Sequence, residues 1–283
     1  MKFTQKTPAK INWFLSVLNK RDDGYHNIIS ALQYIDVFDT LSFEEANEVE
    51  VISDLDIPAE DNLVFMAAVL LRDYTSCNRG ARITLKKDIP VAAGLGGGSS
   101  DAAATLIGLN QFWELRLDRT ELITIAAHIG SDVPFFLSGP FSLITGRGEK
   151  VSDIPDALSV DILLVKPDIG IPASLAYESF STELTKKPID IKLFCSSLVE
   201  RDFYHLQRVL TNDLEQPVFK MYPAVREIKE QLIESGAVLS MMSGSGPTVY
   251  GIYHSADEAE EAASGMGDNW CRVVKTLIRP VDN

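Results

Sequence analysis

The segment Pro90-Val-Ala-Ala-Gly-Leu-Gly-Gly-Gly-Ser-Ser-Asp-Ala-Ala-Ala-Thr105 carries four glycines within five residues. A strand pattern over 81–85 precedes it, and a helix pattern over about 99–112 follows it. Because glycine has no Cβ, the backbone there can turn tightly and bring its N–H groups close to a ligand. The Ser-Ser-Asp at 99–101 consists of residue types that favour a helix N-cap. A glycine loop that leads into a helix N-terminus attracts anions, so we predict that this loop binds phosphate.

The loop differs from two common phosphate-binding motifs. It lacks the Gly-Lys-Ser/Thr ending of a Walker A motif. Gly94-Leu-Gly-Gly-Gly-Ser99 begins like the dinucleotide-binding fingerprint but lacks its last glycine. The region 120–128, where that fingerprint requires a strand with an acidic residue, has a helix pattern. A flexible surface loop fits poorly, because such a loop rarely leads directly into a capped helix.

The composition limits the possible partners. The chain has 283 residues, of which 46% are hydrophobic and 23% charged, as in ordinary globular proteins. This length suffices for one large domain or two lobes. The formal net charge of −14 argues against nucleic acid and against an anionic membrane surface as partners. An anionic substrate would therefore need a locally basic pocket.

The cysteines and the first residues indicate a cytoplasmic protein. Cys77, Cys195 and Cys271 are far apart, odd in number and without the spacing of a metal site, so we predict reduced thiols. The apolar run 11–18 is interrupted by polar residues and has no small-residue cleavage site, so no signal peptide is expected. No apolar run has the length of a transmembrane helix.

Hydrophobic periodicity predicts a mixed α+β chain. Strands are predicted over 7–18, 28–37, 81–85, 160–165, 237–242, 248–253 and 271–277, with a strand and turn over 139–148 and a hairpin that joins 41–43 to 48–52. Helices are predicted over 62–74, 99–112, 120–129, 174–180, 191–198, 206–210, 225–234 and 257–263. This order favours two α+β lobes over a regular βαβ winding.

Three ordered segments together resemble the motifs of the GHMP kinases, the family that includes galactokinase, homoserine kinase and mevalonate kinase. They are Pro8-Ala-Lys-Ile-Asn12, the glycine loop at 90–104 and Ser240-Met-Met-Ser-Gly-Ser-Gly-Pro-Thr-Val-Tyr250. One such motif alone is a weak indication, whereas ordered motifs at compatible spacing are specific. The resemblance implies an α+β, two-lobed GHMP kinase fold, with an ATP-binding N-terminal lobe over 1–152, a C-terminal lobe over 153–283 and the active-site cleft between them.

Four segments are similar to one branch of that family, whose acceptor is a methylerythritol that carries cytidine diphosphate. They are Ala9-Lys-Ile-Asn-Trp-Phe-Leu15, Arg21-Asp-Asp-Gly-Tyr-His26, Gly94-Leu-Gly-Gly-Gly-Ser-Ser100 and Gly130-Ser-Asp-Val-Pro134. The resemblance implies that ATP phosphorylates the 2-hydroxyl of this cytidine diphosphate sugar-alcohol, in the non-mevalonate synthesis of isoprenoid precursors. Two alternatives stay open. One is a GHMP kinase for mevalonate, homoserine or a sugar, and the other is a nucleotide-binding regulator without catalysis.

Asp132 and Lys10 are the candidate catalytic residues. Asp132 lies in a short turn from which its carboxylate can project into a cleft, although a helix N-cap before Val133 explains the same residue equally well. The resemblance implies that Asp132 acts as general base on the substrate hydroxyl. It also places Lys10 beside Asp132, where the ammonium would keep the carboxylate ionised and stabilise charge on the attacking oxygen. From the sequence alone, Lys10 also fits a solvent-facing position on a strand.

The substrate-binding residues follow mainly from the resemblance. It implies that Tyr25 stacks on the cytosine, that His26 bonds its polar edge and that Tyr177 lies across the base. Each of these aromatic residues also fits a core or turn position. Asn12 should leave the same strand face as Lys10 and would hydrogen-bond the substrate. A close-approach turn beside the substrate is expected from Gly244, Ser245 and Gly246.

The ATP site is expected at the glycine loop, whose backbone would surround the phosphates. The resemblance adds Asn62 and Lys87 near the adenine or ribose, although a helix N-cap and a solvated strand end would also explain them. The expected ATP-binding residues are Asn62, Lys87, Pro90, Gly94, Leu95, Gly96, Gly97, Gly98, Ser99 and Ser100. Magnesium should arrive with ATP, because phosphoryl transfer needs its charge, and the sequence identifies no protein ligand for it. Arg147 fits either the site or an ordinary surface position.

Overall fold

The computed structural model describes residues 3–55, 57–180 and 189–281. Its first sheet has six strands in the order β3-β4-β2-β5-β6, with β1 paired antiparallel to β2. The strands are β1 (Phe3–Lys20), β2 (His26–Glu44), β3 (Val49–Ser53), β4 (Ala81–Lys86), β5 (Phe141–Gly146) and β6 (Lys150–Asp153). The first two strands are longer than the predicted 7–18 and 28–37, because their backbone pairing continues past the apolar runs.

The predicted hairpin between 41–43 and 48–52 is wrong. Residues 41–43 belong to the end of β2 and pair there with β4, while β3 pairs with β4 in parallel. The burial of β3 and β4 explains their order in the sheet. Every second residue of β4 is buried, so β4 takes the inner position beside β2, whereas β3 has no fully buried residue and forms the edge.

Helices cover this sheet, and one of them begins within the glycine loop. They are α1 (Leu63–Thr75), α2 (Gly97–Phe112), α3 (Arg119–Ile129) and α4 (Val133–Phe136), with a 3₁₀ turn over Ala59–Asp61 before α1. The apolar face predicted for α1 is buried as expected, at Val64, Ala67, Ala68 and Leu71. The alanines of α2 have small side chains, so the helix packs closely between α1 and β1.

The start of α2 differs from the prediction. The N-cap is Gly96, with φ of 73°, and not a residue of the Ser-Ser-Asp run. Ser100 and Asp101 lie within the first turns and point into the protein, because α2 is buried on almost every side. Ser100 donates a hydrogen bond to the carbonyl oxygen of Pro8 at 2.6 Å. The helix start is thereby fixed against β1.

The second sheet has four antiparallel strands in the order β10-β7-β9-β8. The strands are β7 (Asp161–Lys166), β8 (Leu239–Met242), β9 (Val249–Tyr253) and β10 (Trp270–Lys275). The helices are α5 (Ala173–Glu178), α6 (Ile191–Val199), α7 (Phe203–Val209), α8 (Glu215–Met221), α9 (Pro223–Glu234) and α10 (Ala256–Ser264). Helix α8 was not predicted, because Pro217 interrupts the helical pattern of the sequence. A proline in the first turn is nevertheless compatible with a helix, since the N–H groups of that turn have no partner within the helix.

Strand β1 contacts both parts of the molecule. Its Leu15 N–H donates to Thr211 O at 3.0 Å, and its carbonyl accepts from the N–H of Asp213 at 2.9 Å. The Tyr250 hydroxyl, on β9, donates to the carbonyl oxygen of Asn12 at 3.0 Å. The two sheets meet along this strand. The exact lobe boundary at residue 152 stays a prediction.

Two further expectations concern the thiols and the membrane. Cys77, Cys195 and Cys271 are all free thiols. Within residues 3–55, 57–180 and 189–281, no helix has the length and apolar character needed to cross a bilayer.

Candidate active site

A cavity of about 970 Å³ opens beside the glycine loop, where the two sheets meet. It brings together eleven of the predicted site residues from distant parts of the chain. They are Lys10, Asn12, Tyr25, His26, Gly94, Gly96, Ser99, Asp132, Tyr177, Gly244 and Ser245. Arg147 also lines this cavity, so it is not an ordinary surface residue.

Lys10 is buried, with only 3% of its surface exposed. Its Nζ donates to Asn12 Oδ1 at 2.7 Å and to the carbonyl oxygen of Gly94 at 2.8 Å. The nearest charge is Asp132, whose Oδ2 lies 3.9 Å from Nζ. Burial lowers the pKa of Lys10, and the Asp132 carboxylate opposes that shift. Lys10 therefore faces the cleft, and not the solvent.

Asp132 lies in the turn that precedes α4 and presents its carboxylate to the cavity, with 34% of the side chain exposed. Asp132 occupies the N-cap position of α4, but within the described residues its side chain makes no capping hydrogen bond. The capping explanation of this residue is therefore not observed. The carboxylate remains free to meet a ligand.

The two glycine motifs contact each other at Gly94. A Cβ at this position would lie 2.2 Å from the carbonyl oxygen of Ser243, so only glycine fits. The Gly94 carbonyl oxygen accepts from Lys10 Nζ and also from the Ser243 hydroxyl, at 2.9 Å. Gly244 has φ of 55°, and a Cβ there would lie 3.0 Å from Lys10 Nζ. Lys10 thus lies between the central and the C-terminal glycine turns.

The start of α2 fits a phosphate group. The first N–H groups of a helix have no partner within the helix, and the helix dipole favours an anion there. Ser99, in the first turn of α2, faces the cavity. Within the described residues, no cluster of three His, Cys, Asp or Glu side chains could hold a metal ion. The arrival of magnesium with ATP stays a prediction.

Aromatic side chains line the other end of the cavity. The rings of His26 and Tyr177 are stacked, with centroids 5.7 Å apart and planes inclined by 22°, and Phe180 meets His26 edge-on. Burial raises the pKa of Tyr177, and the nearby Asp132 carboxylate adds to this effect. Tyr25 is half exposed, and the Arg147 guanidinium lies 5.1 Å from its ring centroid. In this arrangement Tyr177 faces His26 and not Tyr25.

Comparisons with known proteins fit this geometry. A model of the GHMP kinase N-terminal domain matches residues 62–140, and a model of the GHMP kinase C-terminal domain matches residues 194–271. A 4-diphosphocytidyl-2-C-methyl-D-erythritol kinase from Thermodesulfovibrio yellowstonii is 45% identical, over 98% of this chain and 99% of its own. The chain belongs to the GHMP kinase family.

Other GHMP kinases are similar to this chain at lower identity. A relative of the same name from Caldanaerobacter subterraneus is 42% identical over 93% of this chain and 92% of its own. A crystal structure of 4-(cytidine 5'-diphospho)-2C-methyl-D-erythritol kinase superimposes with a TM-score of 0.84 at 29% identity, over 97% of this chain and 99% of that one. A homoserine kinase from Cytophaga hutchinsonii, at 18% identity and a TM-score of 0.77, shares the fold. The predicted family, the two-lobed α+β fold and the kinase class are therefore confirmed.

Several predicted ATP-binding residues of this GHMP kinase do not line the cavity. Asn62 caps α1, where its Oδ1 accepts from the N–H of Val64 at 3.0 Å. Leu95 and Ser100 are fully buried. The remaining residues outside the cavity lining are Lys87, Pro90, Gly97, Gly98 and, from the substrate group, Gly246. Their contact with a ligand stays a prediction.

Lys87 is held by two buried carboxylates, Asp39, which the sequence did not single out, and Asp101, which was expected only as a possible helix N-cap. Its Nζ contacts Asp39 Oδ2 and lies 2.7 Å from Asp101 Oδ2. Burial, together with the Asp39 charge, raises the pKa of Asp101 to about 7, although Lys87 opposes this shift. A Cβ at Gly97 would lie 3.1 Å from Lys87 Nζ, so this ion group supports the glycine loop from beneath.

Asn212 is another residue that sequence reasoning missed. It is buried, and its Nδ2 donates to the carbonyl oxygens of Met242 and Gly244 at 2.8 and 2.7 Å. Its Oδ1 accepts from the N–H of Leu214 at 3.0 Å. The side chain thereby fixes the glycine turn beside Lys10. The polar run Thr211-Asn-Asp213 between apolar residues was the available signal.

Proposed function

We propose that this GHMP kinase transfers the γ-phosphoryl group of ATP to the 2-hydroxyl of 4-diphosphocytidyl-2-C-methyl-D-erythritol. The observation that carries the proposal is the pair of buried Lys10 and cleft-facing Asp132, 3.9 Å apart, between two glycine turns. The relatives named for this substrate, at 45% and 42% identity over nearly the whole chain, support the choice of acceptor.

Asp132 and Lys10 each have a role in phosphoryl transfer. The Asp132 carboxylate orients the substrate hydroxyl and accepts its proton while the oxygen bonds to the γ-phosphorus and the bond to the ADP oxygen breaks. The Lys10 ammonium stabilises charge on the attacking oxygen and pairs with the Asp132 carboxylate, 3.9 Å away. The first turn of α2 holds the phosphates. Magnesium, when it binds with ATP, neutralises charge on those phosphates.

The aromatic end of the cavity suits a nucleobase. Tyr25, His26 and Tyr177 present ring faces and polar edges there, and base stacking on aromatic rings is favourable. Lys10, Lys20 and Arg147 line the cavity beside three carboxylates and are cations that an anionic diphosphate could contact there. The three free thiols also support the proposed cytoplasmic location.

The proposal is tested by ADP release with ATP and magnesium. The acceptors offered are 4-diphosphocytidyl-2-C-methyl-D-erythritol, mevalonate, homoserine and galactose, each alone. We expect turnover only with the cytidine compound. Turnover with another acceptor would support the kinase class and contradict the proposed cytosine-binding site. ATP binding without any turnover would favour a non-catalytic regulator.

Replacement of Tyr25 by alanine tests the base site. Because one base stacked on an aromatic ring contributes about 1–3 kcal/mol, the KM for the cytidine substrate should rise about tenfold, with the KM for ATP unchanged. Tyr25 is half exposed, so its loss should leave the fold intact. Tyr204→Ala, at an exposed tyrosine of α7, is the matched control. Equal changes in both Michaelis constants would contradict the stacking role.

A further inference from the structure

Ser30 lies directly behind the pair formed by Lys10 and Asn12. It is on β2, opposite Leu15 of β1, and it is completely buried. It does not line the cavity, and neither the resemblance nor the sequence pattern marked it. Its hydroxyl nevertheless reaches the site through Asn12, whose Nδ2 donates to Ser30 Oγ at 2.8 Å.

The hydrogen bonds of Ser30 have a fixed direction. A serine hydroxyl carries one hydrogen, and Ser30 donates it to the carbonyl oxygen of Phe14, which can only accept. Ser30 Oγ is then left as an acceptor, and its partner must be the NH₂ group of the Asn12 amide. The amide oxygen of Asn12 consequently points the other way, to Lys10 Nζ at 2.7 Å.

The opposite orientation of the Asn12 amide would leave two groups unpaired. The NH₂ group would face the Lys10 ammonium, and both are donors only. The amide oxygen would face Ser30 Oγ, whose single hydrogen is already used. A buried donor without an acceptor is unfavourable, so Ser30 and Lys10 together select one of two amide orientations that are otherwise nearly equal in shape, and without Ser30 the amide loses one of these two anchors.

Lys10 depends on that orientation because it has few acceptors. The Gly94 carbonyl and Asn12 Oδ1 are within hydrogen-bond distance of Nζ, while Asp132 at 3.9 Å is a charge contact. Asp132, in the turn before α4, is the charged group that faces Lys10; the atoms that β1 and the two glycine turns present to it are neutral. Loss of the Asn12 oxygen would let Nζ turn away from Asp132.

We propose that Ser30 is a positioning residue for catalysis, which fixes the Asn12 amide so that its oxygen holds the Lys10 ammonium beside Asp132. The inference rests on the proposed function for its kinetic test. It assigns Ser30 no contact with either substrate, so its effect must pass through Asn12.

The first test is Ser30→Ala, assayed with ATP and the cytidine substrate. We expect kcat to fall about tenfold and the KM for ATP to change less than twofold, because the reacting groups are misaligned while the phosphate loop is untouched. The matched control is Ser142→Ala. Ser142 is also completely buried, lies on β5 opposite Leu32 of β2 and bonds Asp153 instead of the site. An equal loss of kcat in both variants would overturn the proposal.

A double-mutant cycle separates positioning from general stability. In an Asn12→Ala background there is no amide to orient, so Ser30→Ala should lower kcat less than twofold further. A purely structural role predicts the same tenfold loss in both backgrounds. Ser30→Cys provides a variant with a side chain of similar shape and slightly larger volume that accepts hydrogen bonds poorly. It should reproduce the kcat loss with an unfolding midpoint close to that of the unchanged chain.

The charge state of Lys10 gives a measurement without turnover. In ¹³C NMR of the labelled Lys10 Cε, Ser30→Ala should lower the pKa of Lys10, because the ammonium form loses an acceptor, and Ser142→Ala should leave it unchanged. If the wild-type protein is inactive toward the cytidine substrate, only the proposed function is contradicted. The titration of Lys10 would still test the role of Ser30. An unchanged Lys10 pKa in Ser30→Ala and Ser30→Cys would overturn the role of Ser30.

Discussion

Replacement of Asp132 by asparagine should lower kcat at least about a hundredfold, with the KM for ATP nearly unchanged. Asparagine has the same shape, but its amide accepts no proton from the substrate hydroxyl. The side chain is one-third exposed to the cavity and does not cap α4, so the variant should fold normally. Steady-state ADP release with the cytidine substrate measures the effect.

Asp257→Asn is the control for this variant. It removes the same charge from an exposed position in the first turn of α10 that does not line the cavity. Its kcat should stay within twofold of that of the unchanged chain. Near-normal turnover of Asp132→Asn would exclude proton transfer to Asp132.

Replacement of Lys10 by methionine should lower kcat about a thousandfold, because removal of one preorganised donor at a developing charge costs about 10²–10³ in rate. Methionine fills similar space without a charge. The exposed Lys150, on β6, provides the control Lys150→Met. A loss below tenfold, with an unchanged unfolding midpoint, would contradict the role of Lys10.

The pH dependence of turnover in the enzyme without substitutions also tests the role of Lys10. Burial lowers the pKa of Lys10 below its ordinary 10.5, and activity needs the charged form. Turnover should therefore be present below that lowered pKa and decrease as the pH rises through it. Lys10→Met should lack this decrease in its residual turnover.

Local patterns in the sequence predicted much of the fold and part of the site. The alternation of β1 correctly placed Lys10 and Asn12 on one face, and the periodicity of α1 identified its buried face. The glycine loop was predicted correctly as the link between a strand and a helix. These features depend on residues that are close in sequence.

Features that depend on distant residues could not be predicted in this way. The ion group of Asp39, Lys87 and Asp101 requires that three separate elements converge. The parallel pairing of β3 with β4 depends on which strand is more buried in the final sheet. The stack of His26 on Tyr177 joins side chains from both lobes. Periodicity contains no information about such contacts.

The position of β1 between the two sheets also affects the order in which the molecule can assemble. The strand that carries Lys10 is synthesised before its partners in the second sheet, because the Tyr250 hydroxyl that bonds Asn12 O is 238 residues further along the chain. The Thr211 and Asp213 contacts of Leu15 are similarly late. Contacts of such long sequence separation form slowly and only after the intervening chain is available. We therefore expect the Lys10 side of the cavity to reach its final geometry only after the second sheet has been synthesised and has folded against β1.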